Sequence, residues 1–142
     1  MCGYIGTIGS DIINQQIINQ MANSIEKRGP DDKGVFIDNN FKIAIAHQRL
    51  SILDLSDAGH QPMVSNNKRF VIAYNGEIYN HLQLRKYLDD RGFSNKINWK
   101  GHSDTETLIE SIAELGLEKT LEKIEGMFSF ALWDKQTKNL YL

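Results

Sequence analysis

The sequence predicts an α+β fold of stacked antiparallel sheets with helices outside, and three observations predict it. Phe128, Phe130 and Leu132 alternate with Met127, Ser129 and Ala131, while Phe41, Ile43 and Ile45 alternate with Lys42, Ala44 and Ala46. Both segments are largely apolar on two faces, and such strands are covered on both. Clustered strands joined by hairpin-like turns argue against a regular βαβ repeat. Ile13, Ile17, Met21 and Ile25 recur every four residues, the mark of a helix with one buried stripe.

Taken in order, residues 2–8 form a short glycine-bearing strand, and 11–27 form the amphipathic helix that Gly29-Pro30 closes. The run 28–34 is rich in breakers and predicts a loop. Residues 35–37 and 41–47 pair as a hairpin across Asp38-Asn39-Asn40, and a loop-rich stretch covers 48–62. A strand over 69–74 ends at Asn75-Gly76, a pair that alone reads as a tight turn. A helix is expected over about 81–90 and another from about Ser103. There Ser103-Asp104-Thr105-Glu106 spells a capping box, in which Ser103 caps and Glu106 reaches back. Gly116 separates off a short helical piece with Leu117, Leu121 and Ile124. A strand over 127–133 and a turn then lead to Leu140-Tyr141-Leu142, which looks like a hairpin whose second strand is cut off.

With 142 residues, one domain over 1–142 is expected, long enough for a core. A charged fraction of 24% and a hydrophobic fraction of 41% fit a globular protein. The net charge of −2, with Lys and Arg scattered, gives no basic patch for nucleic acid. Apolar stretches are too short to span a membrane, and the N-terminus lacks the charged region of a secretory signal. The single cysteine leaves no disulfide framework and fits a reducing cytoplasm. His47, His60, His81 and His102 are too dispersed for ligand spacing, so no metal site is expected.

The candidate chemistry begins at Cys2. A lone cysteine is ordinarily a small buried hydrophobe, but this one directly follows Met1. Removal of Met1, which a small second side chain favours, would place a thiol and a free α-amine on one residue. An α-amine titrates at about 7.7–8.0 and a thiol at about 8.5, so the amine can take the thiol proton near neutral pH. An amide substrate would then become a thioester and expel ammonia. Asn75 and Gly76 could supply a side-chain amide and a backbone N–H to the oxyanion. Arg49 offers a planar fork for a carboxylate, with a solvated surface arginine as the plainer alternative. Asp104 would occupy the first turn of a capped helix, where the helix dipole favours its charge, and could meet an ammonium from there. Gly3, Gly6 and Gly9 do not form a dinucleotide fingerprint, and no phosphate-binding loop is present.

The segments that carry these residues recur in one order: Met1-Cys2-Gly3; Arg28-Gly29-Pro30-Asp31-Asp32; His47-Gln48-Arg49-Leu50-Ser51-Ile52-Leu53-Asp54; and Gly59-His60-Gln61-Pro62-Met63. Tyr74-Asn75-Gly76-Glu77-Ile78-Tyr79-Asn80, Ser103-Asp104-Thr105-Glu106 and Gly126-Met127-Phe128-Ser129-Phe130-Ala131 follow. In these the chain resembles, essentially end to end, the N-terminal glutaminase domain of glutamine-hydrolysing asparagine synthetases. Those are class II glutamine amidotransferases of the N-terminal-nucleophile hydrolase superfamily. Sugar-phosphate amidotransferases share the opening Met-Cys-Gly but differ around the arginine and the Asn-Gly.

The resemblance implies a four-layer αββα sandwich of two antiparallel sheets, truncated at its C-terminal end. It implies Cys2 as nucleophile with its own amine as base, and Asn75 and Gly76 as the oxyanion pair. Arg49 would hold the glutamine carboxylate, with Leu50 to Leu53 lining the pocket, Ile52 among them. Asp104, with Glu77 nearby, would read the α-ammonium. No cofactor is expected in this chain; ATP and Mg belong to the synthetase domain, whose Ser-Gly-Gly-x-Asp-Ser loop it lacks. Expected partners are glutamine and a synthetase domain in cis or trans, not nucleic acid or membrane, with a homo-oligomer left open. Two alternatives stay open: a non-catalytic fragment that binds glutamine or a partner, and a glutaminase serving another acceptor such as a sugar. Tyr4 departs from the aliphatic residues usual in the family.

Overall fold

β3 (Ile43–Arg49) is buried at all seven positions because both of its edges and both of its faces are covered. The structure, a computed structural model, describes residues 2–9, 14–52, 54–93 and 95–142. Along one edge of β3 runs β1 (Gly3–Ile8), from Gly3 opposite Gln48 to Ile8 opposite Ile43. Along the other runs β2 (Asp32–Asp38), from Asp32 opposite Arg49 to Asp38 opposite Ile43. Both pairings are antiparallel.

Alternation along β3 then decides the layers. Ala44 and Ala46 face α1 (Gln15–Ser24), and their small side chains admit Ile18 and Ala22 of that helix. Ile43 and Ile45 face the other way, against Val71, Ala73 and Trp133 of a second sheet. That sheet has the order β4 (Met63–Val64), β5 (Phe70–Ile78), β6 (Gly126–Asp134) and β7 (Asn139–Tyr141), antiparallel throughout. Its outer face presents Phe70, Ile72, Tyr74 and Leu132 to Leu108, Ile109 and Ile112 of α3 (Asp104–Leu115). Beside α3 lies α2 (His81–Asp90), and Gly116, at φ 88°, turns the chain into α4 (Leu117–Leu121). The layers are helix, sheet, sheet, helix, as the alternation and the resemblance predict. Trp133, 1% exposed, anchors the layer between the sheets; truncating so large a buried ring typically costs about 3–5 kcal/mol.

Several local expectations change. The first helix is shorter than 11–27: its N-cap is Asn14, whose Oδ1 accepts the Ile17 N–H at 2.9 Å. It stops at Ser24, where Oγ bonds back to Met21 O and the Ile25 N–H tightens onto Ala22 O. Ile13 lies outside the described residues. Asp32, Lys33 and Gly34 belong to β2, not to a loop, because the pairing with β3 reaches Arg49. β5 does not end at Asn75-Gly76. It runs on to Ile78, since β6 pairs with it throughout, with Asn75 opposite Ser129 and Gly76 opposite Phe128. The glycine serves close approach instead of a turn: a Cβ there would overlap the Met127 carbonyl and sit 2.5 Å from Phe128 Cα.

β6 is covered on both faces only from Phe130 onward, and residues 126–129 overhang into solvent. The capping box is half made. Ser103 Oγ accepts the Glu106 N–H at 3.1 Å, but the Glu106 carboxylate turns to the N–H groups of Lys100 (2.7 Å) and Gly101 (3.0 Å) and to Arg85 (3.2 Å). Among the described residues, no helix is long and apolar enough to cross a membrane.

Candidate active site

The register of β1 against β3 brings the start of the chain to the end of β3. Because Gly3 lies opposite Gln48, Cys2 arrives at the Arg49 end of β3, where its side chain meets Leu50. Its Sγ accepts the Leu50 N–H at 3.3 Å and lies 3.5 Å from the Leu50 carbonyl. Arg28 Nε donates to the Cys2 carbonyl at 3.0 Å, fixing the backbone on the other side of the thiol. Arg28 was not among the expected site residues, although it opens the quoted Arg-Gly-Pro-Asp-Asp segment. Met1 lies outside the described residues.

Arg49 closes β3 and is 7% exposed. Its Nη1 donates to Ser56 O at 2.9 Å and its Nη2 to Asp54 O. A guanidinium has five N–H donors, so these bonds set its plane and leave donors for an anion. Leu50 and Ile52 follow in the loop, whereas Leu53 lies outside the described residues. Asp54 is itself buried, and its Oδ1 accepts both the Ser56 N–H (2.8 Å) and the Ser56 hydroxyl (2.6 Å), while Oδ2 accepts the His102 N–H (2.9 Å). The Ser56 hydroxyl leads the groups that hold its carboxyl down at about 2.

The opposite wall comes from β5. Three partners fix the backbone and ring of Tyr74. Its N–H donates to Gln61 Oε1 at 2.7 Å, its carbonyl faces His47 Nε2 at 2.9 Å, and its hydroxyl donates to Asp104 Oδ2 at 2.8 Å. Burial, helped by the Asp104 charge, pushes the Tyr74 phenol up, so it stays a donor. His47 is fully buried, with Nδ1 unpartnered, and burial lowers it to about 4. It is therefore neutral at neutral pH and can donate Nε2–H to the Tyr74 carbonyl. Asp104 also accepts the Ile78 N–H (2.9 Å) and the Thr105 N–H (2.9 Å), which ties the first turn of α3 to β5. One hydroxyl crosses between the sheets close to this wall: Tyr4 donates to Ser129 at 3.2 Å, and Ser129 pairs with Asn75.

These walls enclose a cavity of about 470 Å³, a size usual for small-molecule sites. Cys2, Arg49, Leu50, Ile52, Asn75, Gly76, Glu77 and Asp104 all line it. Every expected site residue among those described is thus brought to one place from four separated segments. Sequence reasoning missed Asp54, Gly59, Gln61, Tyr74 and Ser129, which line it too. All five stand inside or beside the quoted segments, but nothing in their spacing shows that they turn inward.

The fold is similar to that of glutamine phosphoribosylpyrophosphate amidotransferase from B. subtilis complexed with ADP and GMP, with a TM-score of 0.68 and 21% identity. That match covers 94% of this chain and 34% of the other. Among curated proteins, the chain is 39% identical to the glutamine-hydrolyzing asparagine synthetase B of Escherichia coli (strain K12), covering 100% of this chain and 24% of that protein. It is 37% identical to the glutamine-hydrolyzing asparagine synthetase 2 of Bacillus subtilis (strain 168), covering 100% of this chain and 18% of that protein. The chain spans about a quarter or less of the length of these relatives. The family described as the glutamine amidotransferase domain matches residues 1–142, and the chain belongs to that family.

Proposed function

We propose that this domain hydrolyses the side-chain amide of glutamine to glutamate and ammonia, with Cys2 as the nucleophile. The observation that carries the reading is the single cavity shared by a thiol, an Asn-Gly pair, a buried guanidinium and a buried carboxylate.

With Met1 removed, the Cys2 α-amine takes the thiol proton and the sulfur attacks the amide carbon. Negative charge develops on the amide oxygen, which the Asn75 side-chain amide and the Gly76 N–H would receive. The protonated amine gives its proton to the departing nitrogen, the C–N bond breaks, and ammonia leaves a thioester on Cys2. Water, deprotonated by the same amine, then attacks the thioester, the C–S bond breaks, the amine returns its proton to the sulfur, and glutamate leaves. Arg49 would hold the α-carboxylate of glutamine, with Leu50, Ile52 and Leu53 along the side chain, and Asp104 with Glu77 would meet the α-ammonium. The Leu50 N–H, directed at Sγ, holds the sulfur at the cavity wall.

The names of the relatives suggest where the ammonia goes. A synthetase domain, in cis or in trans, would use ATP and Mg to activate aspartate and capture ammonia as asparagine. A free thiol is kept reduced in the cytoplasm, which is the proposed setting. The test is ammonia release from glutamine by the processed protein and by Cys2→Ala. Release that depends on Cys2 supports the reading, and undiminished release without the thiol refutes it.

A further inference from the structure

Arg49 is held by two backbone carbonyls, those of Asp54 and Ser56. Carbonyl oxygens can hold a guanidinium in one plane only if their own turn is fixed. Asp54 fixes it. One oxygen of its carboxylate gathers the Ser56 N–H and hydroxyl, closing the turn on itself, and the other takes the His102 N–H from the loop preceding α3. That loop is anchored in turn, since Glu106 accepts the N–H groups of Lys100 and Gly101, and Arg85 donates to the Gly101 carbonyl at 2.9 Å. The packing leaves little slack. A Cβ on Gly101 would overlap Asp54 Oδ2, and one on Gly59 would overlap the Arg49 guanidinium.

We propose that Asp54 is a positioning residue for substrate recognition: its carboxylate shapes the turn whose carbonyls aim Arg49 into the cavity. The assignment rests on reading Arg49 as the group that binds the glutamine carboxylate. Asp54 itself makes no bond to Cys2, Asn75 or Gly76. Its loss therefore weakens glutamine binding without slowing the chemistry, a change in KM at constant kcat. The carboxylate is strongly ionised, held at about 2, so the effect needs no titration near neutral pH. Asparagine at this position keeps one acceptor for Ser56 but turns an amide N–H₂ toward the His102 N–H, two donors face to face.

The experiment compares the full-length processed protein with Asp54→Ala, Asp54→Asn and Arg49→Ala. It measures kcat and KM for glutamine, and the rate at which iodoacetamide, a small electrophile with no carboxylate, alkylates Cys2. Asp54→Ala is expected to raise KM about tenfold or more while kcat and the alkylation rate stay within about twofold, the signature of lost uniform binding. Asp54→Asn lies between it and wild type, and carries the test by itself should Asp54→Ala fail to fold. An unchanged KM in the folded variant overturns the proposal, as does a fall in alkylation that parallels the fall in turnover. Failure of the underlying reading looks different: Arg49→Ala then leaves KM unchanged as well.

Discussion

The two sides of the cavity are built by different physics. The residues proposed for chemistry, Cys2, Asn75 and Gly76, sit on or next to strands whose ladders fix them: Gly3 against Gln48, Asn75 against Ser129, Gly76 against Phe128. On the carboxylate-reading side the Arg49 backbone is in the ladder, opposite Asp32, but its guanidinium is aimed by carbonyls of the loop after β3, where Ile52 is 69% exposed. Moving a ladder residue breaks many backbone bonds together, whereas a loop held by a few side-chain bonds can shift alone. Turnover and affinity should therefore be separable by mutation in this domain.

The largest expected effect lies on the ladder side. Cys2→Ala removes the sulfur and should reduce ammonia release to background, while isothermal titration still detects glutamine binding. Next comes Asn75→Ala. Losing one oxyanion donor should lower kcat about 10²–10³-fold with KM little changed, measured by steady-state kinetics. A comparable rise in KM instead would erase the distinction between the two sides. On the loop side, Arg49→Lys keeps the charge but loses the fork. Charge-assisted bonds worth about 1.5–3 kcal/mol predict a rise in KM of roughly 10- to 100-fold, with kcat nearly preserved.

The smallest effect concerns the clamp behind Tyr74. His47 is neutral in the folded protein, lowered from 6.5 to about 4 by burial. The unfolded chain therefore takes up the proton first as pH falls. The resulting stability is fully present above about pH 6.5 and is lost progressively down to about pH 4. Between pH 7 and 5.5 this group should cost about 1 kcal/mol, read from urea midpoints. His47→Gln, which can still donate to the Tyr74 carbonyl, should flatten that window. An equal pH response in the variant would remove His47 as its source.

How much of this was legible beforehand follows from which contacts are local. The alternation of Ile43 and Ile45 with Ala44 and Ala46 foretold two covered faces, because side-chain direction in a strand has a period of two. The Ser103 cap was legible for the same local reason. Asn75-Gly76 was misjudged as a strand end because its extended path is imposed by β6, more than fifty residues later in the chain (Gly76 against Phe128). The bonds of Tyr74 to Gln61 and His47, and of Asp54 to His102, span long separations that no periodicity records. The motif segments located the cavity. They did not show which of their members bind substrate and which hold the others in place.

The most direct test treats the mature, folded protein with a diazoketone analogue of glutamine and maps the adduct by mass spectrometry. The account predicts one adduct, on the sulfur of a Cys2 that has become the first residue, with free glutamine protecting it. Protein that still releases ammonia from glutamine while this sulfur stays unmodified would contradict it.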